Sequence, residues 1–309
     1  MSNLDVQPCT NCRSKTNIQY LFSKSNDGRG SNDIKIYQCK SCQTVFLGQF
    51  KEFFENELYE YYEKYIGKNK EQIFDPITAK SYAQVLQKLR IHCVGDSILD
   101  VGCGIGGFVD VGLSEGYKIN GIELSQSAVD IAKSFNLPVQ KLDFFSEKIK
   151  HSSIDILTMF EVIEHLPNPF GFIKRAEEVV KPGGVIYLTT PNYNSLDRRF
   201  LREKWDVFHR EHLTYFTLKT LINGIQCQTK LKIVHMETRN ISTQLLNYFR
   251  NIPEQKCSNE IESNVARNTI YKYRVLSDLK RLINYFLKLT SLGSTIVIIL
   301  KRPNLIEDI

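Results

Sequence analysis

The chain has 309 residues, enough for one large domain plus a smaller module. Its hydrophobic content of 42% and charged content of 24% are ordinary for a globular protein, and a net charge of +6 is too mild to demand nucleic acid. The start, MSNLDVQPCTNC, lacks the apolar core of a signal peptide, so the eight cysteines are expected in a reducing, cytoplasmic setting rather than in disulfides.

Cys9-x-x-Cys12 and Cys39-x-x-Cys42 form two knuckles some 26 residues apart. Two such pairs can supply the four thiolates of a tetrahedral zinc site. The segment between them, IQYLFSKSNDGRGSNDIKIYQ, alternates like two strands around a turn. A zinc ribbon is expected, with four unligated thiols as the alternative; a closed site of this kind holds a fold rather than doing chemistry. Gln49–Tyr65 is rich in aromatic and acidic residues, and its Phe53, Phe54, Tyr61 and Tyr65 either pack on neighbours or wall a pocket. Asp75-Pro76 breaks the chain before a helix over Ala79–Ile91 with Tyr82, Val85, Leu86 and Leu89 inward.

Ser97–Phe108, SILDVGCGIGGF, organises everything that follows: a buried strand turning through a glycine loop into a helix. Glycines let the backbone approach a ligand closely, and the amides of the loop and helix start then face an anionic group. Asp100 ends this strand, and Glu123 closes the next apolar run, INGIEL, at a distance suited to ribose hydroxyls. Ser125 caps a helix, and Pro138–Phe144 is a strand closed by Asp143. Ile154–Phe160 reads as a central parallel strand and runs into Glu161-Val-Ile-Glu164-His165. A helix over Phe170–Val180, ended by Lys181-Pro-Gly-Gly184, leads to a strand at Val185–Thr190. Pro191–Phe216 is a long connection rich in aromatics and histidine, and such loops are usually functional. A helix at Thr217–Ile225, a strand at Leu231–Glu237, a helical insertion over Ile241–Lys288 and a strand at Ser294–Leu300 complete the chain. The basic residues of the insertion, Arg274, Arg281 and Lys288, read as a solvated face. Asn284, Lys288 and Gly293 interrupt Leu282–Leu300, so no membrane insertion is expected.

As a set, Asp100-Val-Gly102-Cys-Gly104-Ile-Gly106-Gly107, Gly121-Ile-Glu123, Asp143, Phe160-Glu161-Val-Ile-Glu164-His165 and Lys181-Pro-Gly-Gly184 resemble the class I S-adenosylmethionine-dependent methyltransferases. An NAD-type dehydrogenase is the competing pattern, but its third glycine would come later than Gly106 and Gly107 do. The resemblance implies an α/β, Rossmann-like sheet, mostly parallel and seven-stranded, with the small zinc ribbon in front and the helical insertion before the last strand. Residues 1–48 are then the ribbon, 49–92 a helical linker and lid, and 93–309 the methyltransferase domain, with its insertion at about 241–290. It implies cofactor contacts from Asp100, Gly102, Cys103, Gly104, Gly106, Glu123, Leu124 and Phe160, with Asp143 on the adenine amino group and Phe144 stacking nearby.

Methyl transfer needs an aligned acceptor, exclusion of water and, for a hydroxyl, a base. The segment HREHLTYF resembles a stretch of deoxysugar C-methyltransferases that also begin with a four-cysteine module, which would make His212 and Glu211 an acid/base pair. His165 is expected to line the pocket and Glu161 to contact cofactor or acceptor, and Glu161, Glu164 and His165 with His209 or His212 could alternatively hold a divalent ion, as in RNA and ubiquinone-pathway O-methyltransferases. The expected acceptor is a small hydroxylated molecule, a sugar nucleotide first and an RNA or quinone precursor second. Nucleic acid is not the favoured partner, and a module that binds cofactor without catalysis is the reading from outside the enzymes.

Overall fold

The computed structural model describes residues 6–24, 33–49, 62, 64–249, 282–283 and 285–304. Most of the aromatic stretch before Tyr62 and the basic face at Arg274 and Arg281 lie outside these residues. The strand expected at the glycine loop is β4 (Ser97–Val101), whose Ile98, Leu99 and Val101 are buried on both faces. It lies between β5 (Lys118–Glu123) and β7 (Ile154–Phe160), parallel to both, and β6 (Val139–Lys141) and β8 (Val180–Pro191) extend the parallel run. β11 (Thr295–Lys301) adds to β8 antiparallel and carries β10 (Lys232–Arg239) outside it. The sheet therefore has seven strands in the order β10-β11-β8-β7-β4-β5-β6.

Helices cover both faces, and most begin at a residue whose side chain accepts from a free amide. Asp75 accepts from Thr78 N at 3.1 Å to start α2 (Pro76–His92), after the short α1 (Lys70–Ile73). Gly106 opens α3 (Gly107–Ser114), and Ser125 caps α4 (Gln126–Ser134). Asn168 caps α5 (Pro169–Val179), which has proline where no amide is needed. One face of the sheet buries Leu99, Leu157, Leu188 and Phe170; the other buries Leu89, Ile98, Ile156 and Tyr187.

Two strand boundaries differ from those the sequence suggests. β6 stops at Lys141 because Asp143 folds back, its Oδ1 accepting from Phe145 N at 2.7 Å. Phe144 is buried against Phe172, ring centroids 4.6 Å apart. β8 begins five residues before Val185, because Val180 already pairs with Ile154 and Gly183, at φ +76°, carries the chain through Lys181-Pro-Gly-Gly184 without ending the strand.

A second sheet stands beside the first. β1 (Ile18–Lys24), β2 (Ile34–Cys39) and β3 (Val45–Leu47) form an antiparallel ribbon, as the alternation suggests. Its fourth strand, β9 (Thr214–Tyr215), comes from the long connection, which also holds α6 (Leu196–Leu201) and a 3-10 turn at Arg202–Lys204. Ile34, Ile36, Val45 and Leu47 share one core with Trp205, Phe208, Leu213 and Tyr215. α7 (Leu218–Gln228) follows, started by a capping box between Thr217 and Thr220, and α8 (Thr243–Phe249) opens the insertion. Among the described residues, no helix is long and apolar enough to cross a membrane.

Candidate active site

The glycine loop leaves β4 with Gly102, Gly104 and Gly106 all at positive φ, between +54° and +85°. Only glycine takes such angles freely, and the loop turns tightly enough for Gly102 N to donate to Ile122 O at 2.9 Å. Glu123, at the end of β5, braces it: one carboxylate oxygen accepts from Gly104 N at 2.9 Å, the other from Leu124 N at 2.7 Å and Ser125 N at 3.0 Å. Leu124 is exposed beside it, whereas Cys103 turns its sulfur toward Gly121 and burial pushes its thiol up. Asp100 is 2% exposed. Burial raises its carboxyl to about 7, opposed by the hydrogen bond that Thr158 Oγ1 donates at 2.6 Å and reinforced by the charge of Glu123. Phe160 stacks in an aromatic group with Phe108, Tyr82 and Tyr187 behind the loop.

The next strand end carries the second set of groups. Glu161 follows β7 with φ +54°, a strained angle for a residue with a side chain and one that collects at functional sites. Its amide is fixed by Thr189 O at 3.1 Å. Glu161 opens to the cleft, yet the protein packed around it raises its carboxyl, opposed by Thr189, Glu164 and Arg239. The following 3-10 turn, Ile163–His165, aims Glu164 inward. Burial and then the charge of Glu161 push the Glu164 carboxyl well up. Its Oε2 accepts from Thr190 Oγ1 at 2.9 Å, while Oε1 is buried with no hydrogen-bond partner.

Two imidazoles complete this cluster, with the ligand atoms of Glu164, His165 and His212 all within 4.8 Å of one another. His165 Nδ1 donates to Glu211 O at 3.0 Å, and His212 Nδ1 donates to Val207 O at 2.9 Å. A carbonyl can only accept, so each neutral ring carries its lone pair on Nε2. That tautomer suits proton uptake and metal ligation alike. His209 stacks on His212 with ring centroids 3.8 Å apart. Glu164 is thus grouped with His212, and the main-chain carbonyl of Glu211 accepts from His165. The two halves of the site touch at Gly102, where an added Cβ would lie 2.8 Å from Val162 Cγ2. The sequence did not single out Thr158, Thr189, Thr190 or Arg239, which face these acids. Their signal was only their place at the ends of β7, β8 and β10.

At the amino-terminal knuckles, Cys9, Cys12, Cys39 and Cys42 place their sulfurs within 4.8 Å of one another, with two pairs at 3.5 Å. Zinc–sulfur bonds of about 2.3 Å imply tetrahedral edges of about 3.8 Å, so the four thiols fit one zinc ion. Both knuckles close alike: Arg13 N donates to Cys9 O at 2.9 Å and Gln43 N to Cys39 O at 2.8 Å, each donor residue at positive φ.

A parallel sheet with a glycine loop at the carboxyl end of its first core strand and an acid closing the second defines the class I methyltransferase architecture. The chain belongs to the methyltransferase-domain family, whose family model matches residues 56–226. It is 36% identical over 112 residues to a ubiquinone biosynthesis O-methyltransferase of Dechloromonas aromatica, covering 34% of this chain and 48% of that one. It is 32% identical over 136 residues to the protein of that name from Azoarcus sp., covering 39% and 58%. The chain thus spans about half the length of the curated relatives it matches. A crystal structure of a SAM-dependent methyltransferase from Archaeoglobus fulgidus aligns over 79% of this chain and 99% of that one, with 16% identity and a TM-score of 0.49.

Proposed function

We propose that this chain transfers the methyl group of S-adenosylmethionine to a hydroxyl of a small acceptor, with a quinone-precursor phenol as the acceptor class. The observation that carries the reading is the contact of the glycine loop with the Glu161–His165 segment at Gly102 and Val162, which sets a nucleoside-binding loop against a histidine–carboxylate cluster. The relatives' name favours a phenol over the sugar nucleotide that the HREHLTYF segment suggested.

Bound S-adenosylmethionine supplies a methyl group on a sulfonium leaving group. The loop amides and Glu123 would hold the nucleoside, and Asp100, when ionised, would favour its positive charge. His212 Nε2 would accept the proton of the acceptor hydroxyl, with Glu164 in the same cluster. The knuckle cysteines hold a structural zinc, with all four positions filled by protein.

The unpartnered Glu164 Oε1 supports a second reading of the same cluster, in which Glu164, His165 and His212 hold a divalent cation. Such an ion supplies Lewis acidity that makes an acceptor hydroxyl easier to deprotonate. Mn2+ titration followed by calorimetry separates the two: saturable binding, weakened more than about tenfold by Glu164→Gln, supports ligation, and no binding leaves His212 as the base.

The reading as a whole is tested by calorimetry with S-adenosylmethionine and by donor consumption with phenols, sugar nucleotides and tRNA offered in parallel. Donor binding with turnover on a phenol is expected. Binding without turnover on any acceptor would favour a module that holds cofactor without catalysis, and no binding would remove the enzyme reading.

A further inference from the structure

The first cysteine knuckle does more than close a ribbon. Between Cys9 and Ser14, three side chains leave it, and each ends on a different segment around the histidine cluster. Thr10 Oγ1 accepts from Thr214 Oγ1 at 2.8 Å, both residues buried. Asn11 Nδ2 donates to Thr44 Oγ1 at 2.9 Å and to Thr220 O at 3.3 Å, in the first turn of α7. Arg13 Nη1 donates to Pro167 O at 2.9 Å, two residues beyond His165.

The second knuckle leads into β3, which pairs with β9 through Val45–Tyr215 and Phe46–Thr214. Leu213, the neighbour of His212, is gripped from both sides: its carbonyl accepts from Leu47 N at 3.0 Å and its amide donates to Glu164 O at 2.8 Å. At the other end of the loop, Lys24 Nζ donates to the carbonyls of Trp205 and Phe208 at 3.0 and 3.1 Å. The glycine loop, in contrast, is braced by Ile122 and Glu123.

We propose that the four-cysteine module is a positioning device for the histidine loop, in which Thr10 holds His212 in register with Glu164 through Thr214 and Leu213. This rests on the reading of His212 and Glu164 as the acceptor-side groups. Filling the thiolate site fixes the knuckle backbone, and the knuckle then fixes the loop. The chain has joined a metal-held turn to the half of the site whose own segment has least regular structure. Emptying the thiolates therefore releases the histidines and spares the cofactor loop.

The test uses the full-length, zinc-loaded protein, the same protein stripped with an organomercurial and a chelator, and zinc-loaded Thr10→Val and Thr10→Ser. Hydrogen exchange of residues 210–216 and calorimetric affinity for S-adenosylhomocysteine are read in each. Exchange of 210–216 is expected to rise about tenfold on stripping and in Thr10→Val, the scale of one lost buried hydrogen bond. Thr10→Ser, which keeps the hydroxyl, should restore slow exchange. Zinc content of the variants and affinity for S-adenosylhomocysteine should stay within about twofold of wild type. Unchanged exchange in either the stripped protein or Thr10→Val overturns the proposal, as does loss of S-adenosylhomocysteine affinity in step with faster exchange, the mark of a merely structural role. Should wild-type protein fail to bind S-adenosylhomocysteine, the methyltransferase reading falls, and the exchange comparison still reports the coupling.

Discussion

The two halves of the site lie at one edge of one sheet and are built in opposite ways. The cofactor half is local: Asp100 to Gly107 and Gly121 to Ser125 make their own turns, and the longest reach among their bonds is from Asp100 to Thr158. The histidine half is assembled from residues 9–13, 45–47, 161–165 and 205–216, which are joined through the β3–β9 pairing and the bonds of Leu213 to Leu47 and Glu164. A locally encoded loop keeps its shape when distant parts move, whereas an assembled one depends on every element that touches it.

The sharpest way to break this contrast is Gly102→Val. Gly102 sits at φ +68°, and a Cβ there meets Val162 Cγ2 at 2.8 Å, so a β-branched residue is strained in backbone and side chain at once. Calorimetry should find S-adenosylmethionine binding weakened beyond about 100-fold, a loss of some 3 kcal/mol, with zinc content intact. Binding within a few-fold of wild type would mean that the loop is not the cofactor site. The reciprocal change is Cys39→Ser with Cys42→Ser. Metal analysis should then find no zinc, and the ribbon should melt early because its thiolates no longer share an ion, while cofactor affinity survives. Less drastic is His212→Ala, expected to lower kcat by about 10²- to 10⁴-fold and leave cofactor affinity alone. Full turnover would move the base to another group.

The same contrast explains what the sequence disclosed. β4, the glycine loop, Glu123 and the strand at Ile154–Phe160 could be read because apolar runs, glycines and terminal acids follow one another within a few residues. The cysteine pairs were legible for a different reason, since metal ligation restricts spacing more than packing does. The sequence paired His212 with its neighbour Glu211; that Glu164, some fifty residues earlier in the chain, also lies with His212 has no local signal. That β9 would complete the ribbon sheet was likewise beyond pattern reading, for Thr214-Tyr215 is too short to show a period. The strand expected to run to Phe144 ends at Lys141, because the turn at Asp143 is set by a single side-chain bond that no apolar pattern announces.

A last test probes the cofactor half from within. Asp100 is buried and its carboxyl is raised from 3.8 to about 7. Between those values the unfolded chain has released a proton that the folded, ligand-free protein keeps. Stability should therefore fall as pH rises from about 4 to 7, by about 4 kcal/mol in all, and then level off. Asp100→Asn keeps an oxygen for the Thr158 hydroxyl and has nothing to ionise, so its ligand-free stability should lack this slope and exceed that of wild type at pH 8. Cofactor binding should show the opposite sign. If the sulfonium charge favours the ionised carboxylate, wild-type affinity rises about tenfold between pH 6 and 8, while the asparagine variant stays flat. Thermal melts and titrations across that range read both. Parallel affinity curves would mean that Asp100 shapes the strand end without facing the cofactor's charge, whereas a variant that is more stable and binds less tightly would show that the folded protein keeps a costly buried acid for its ligand.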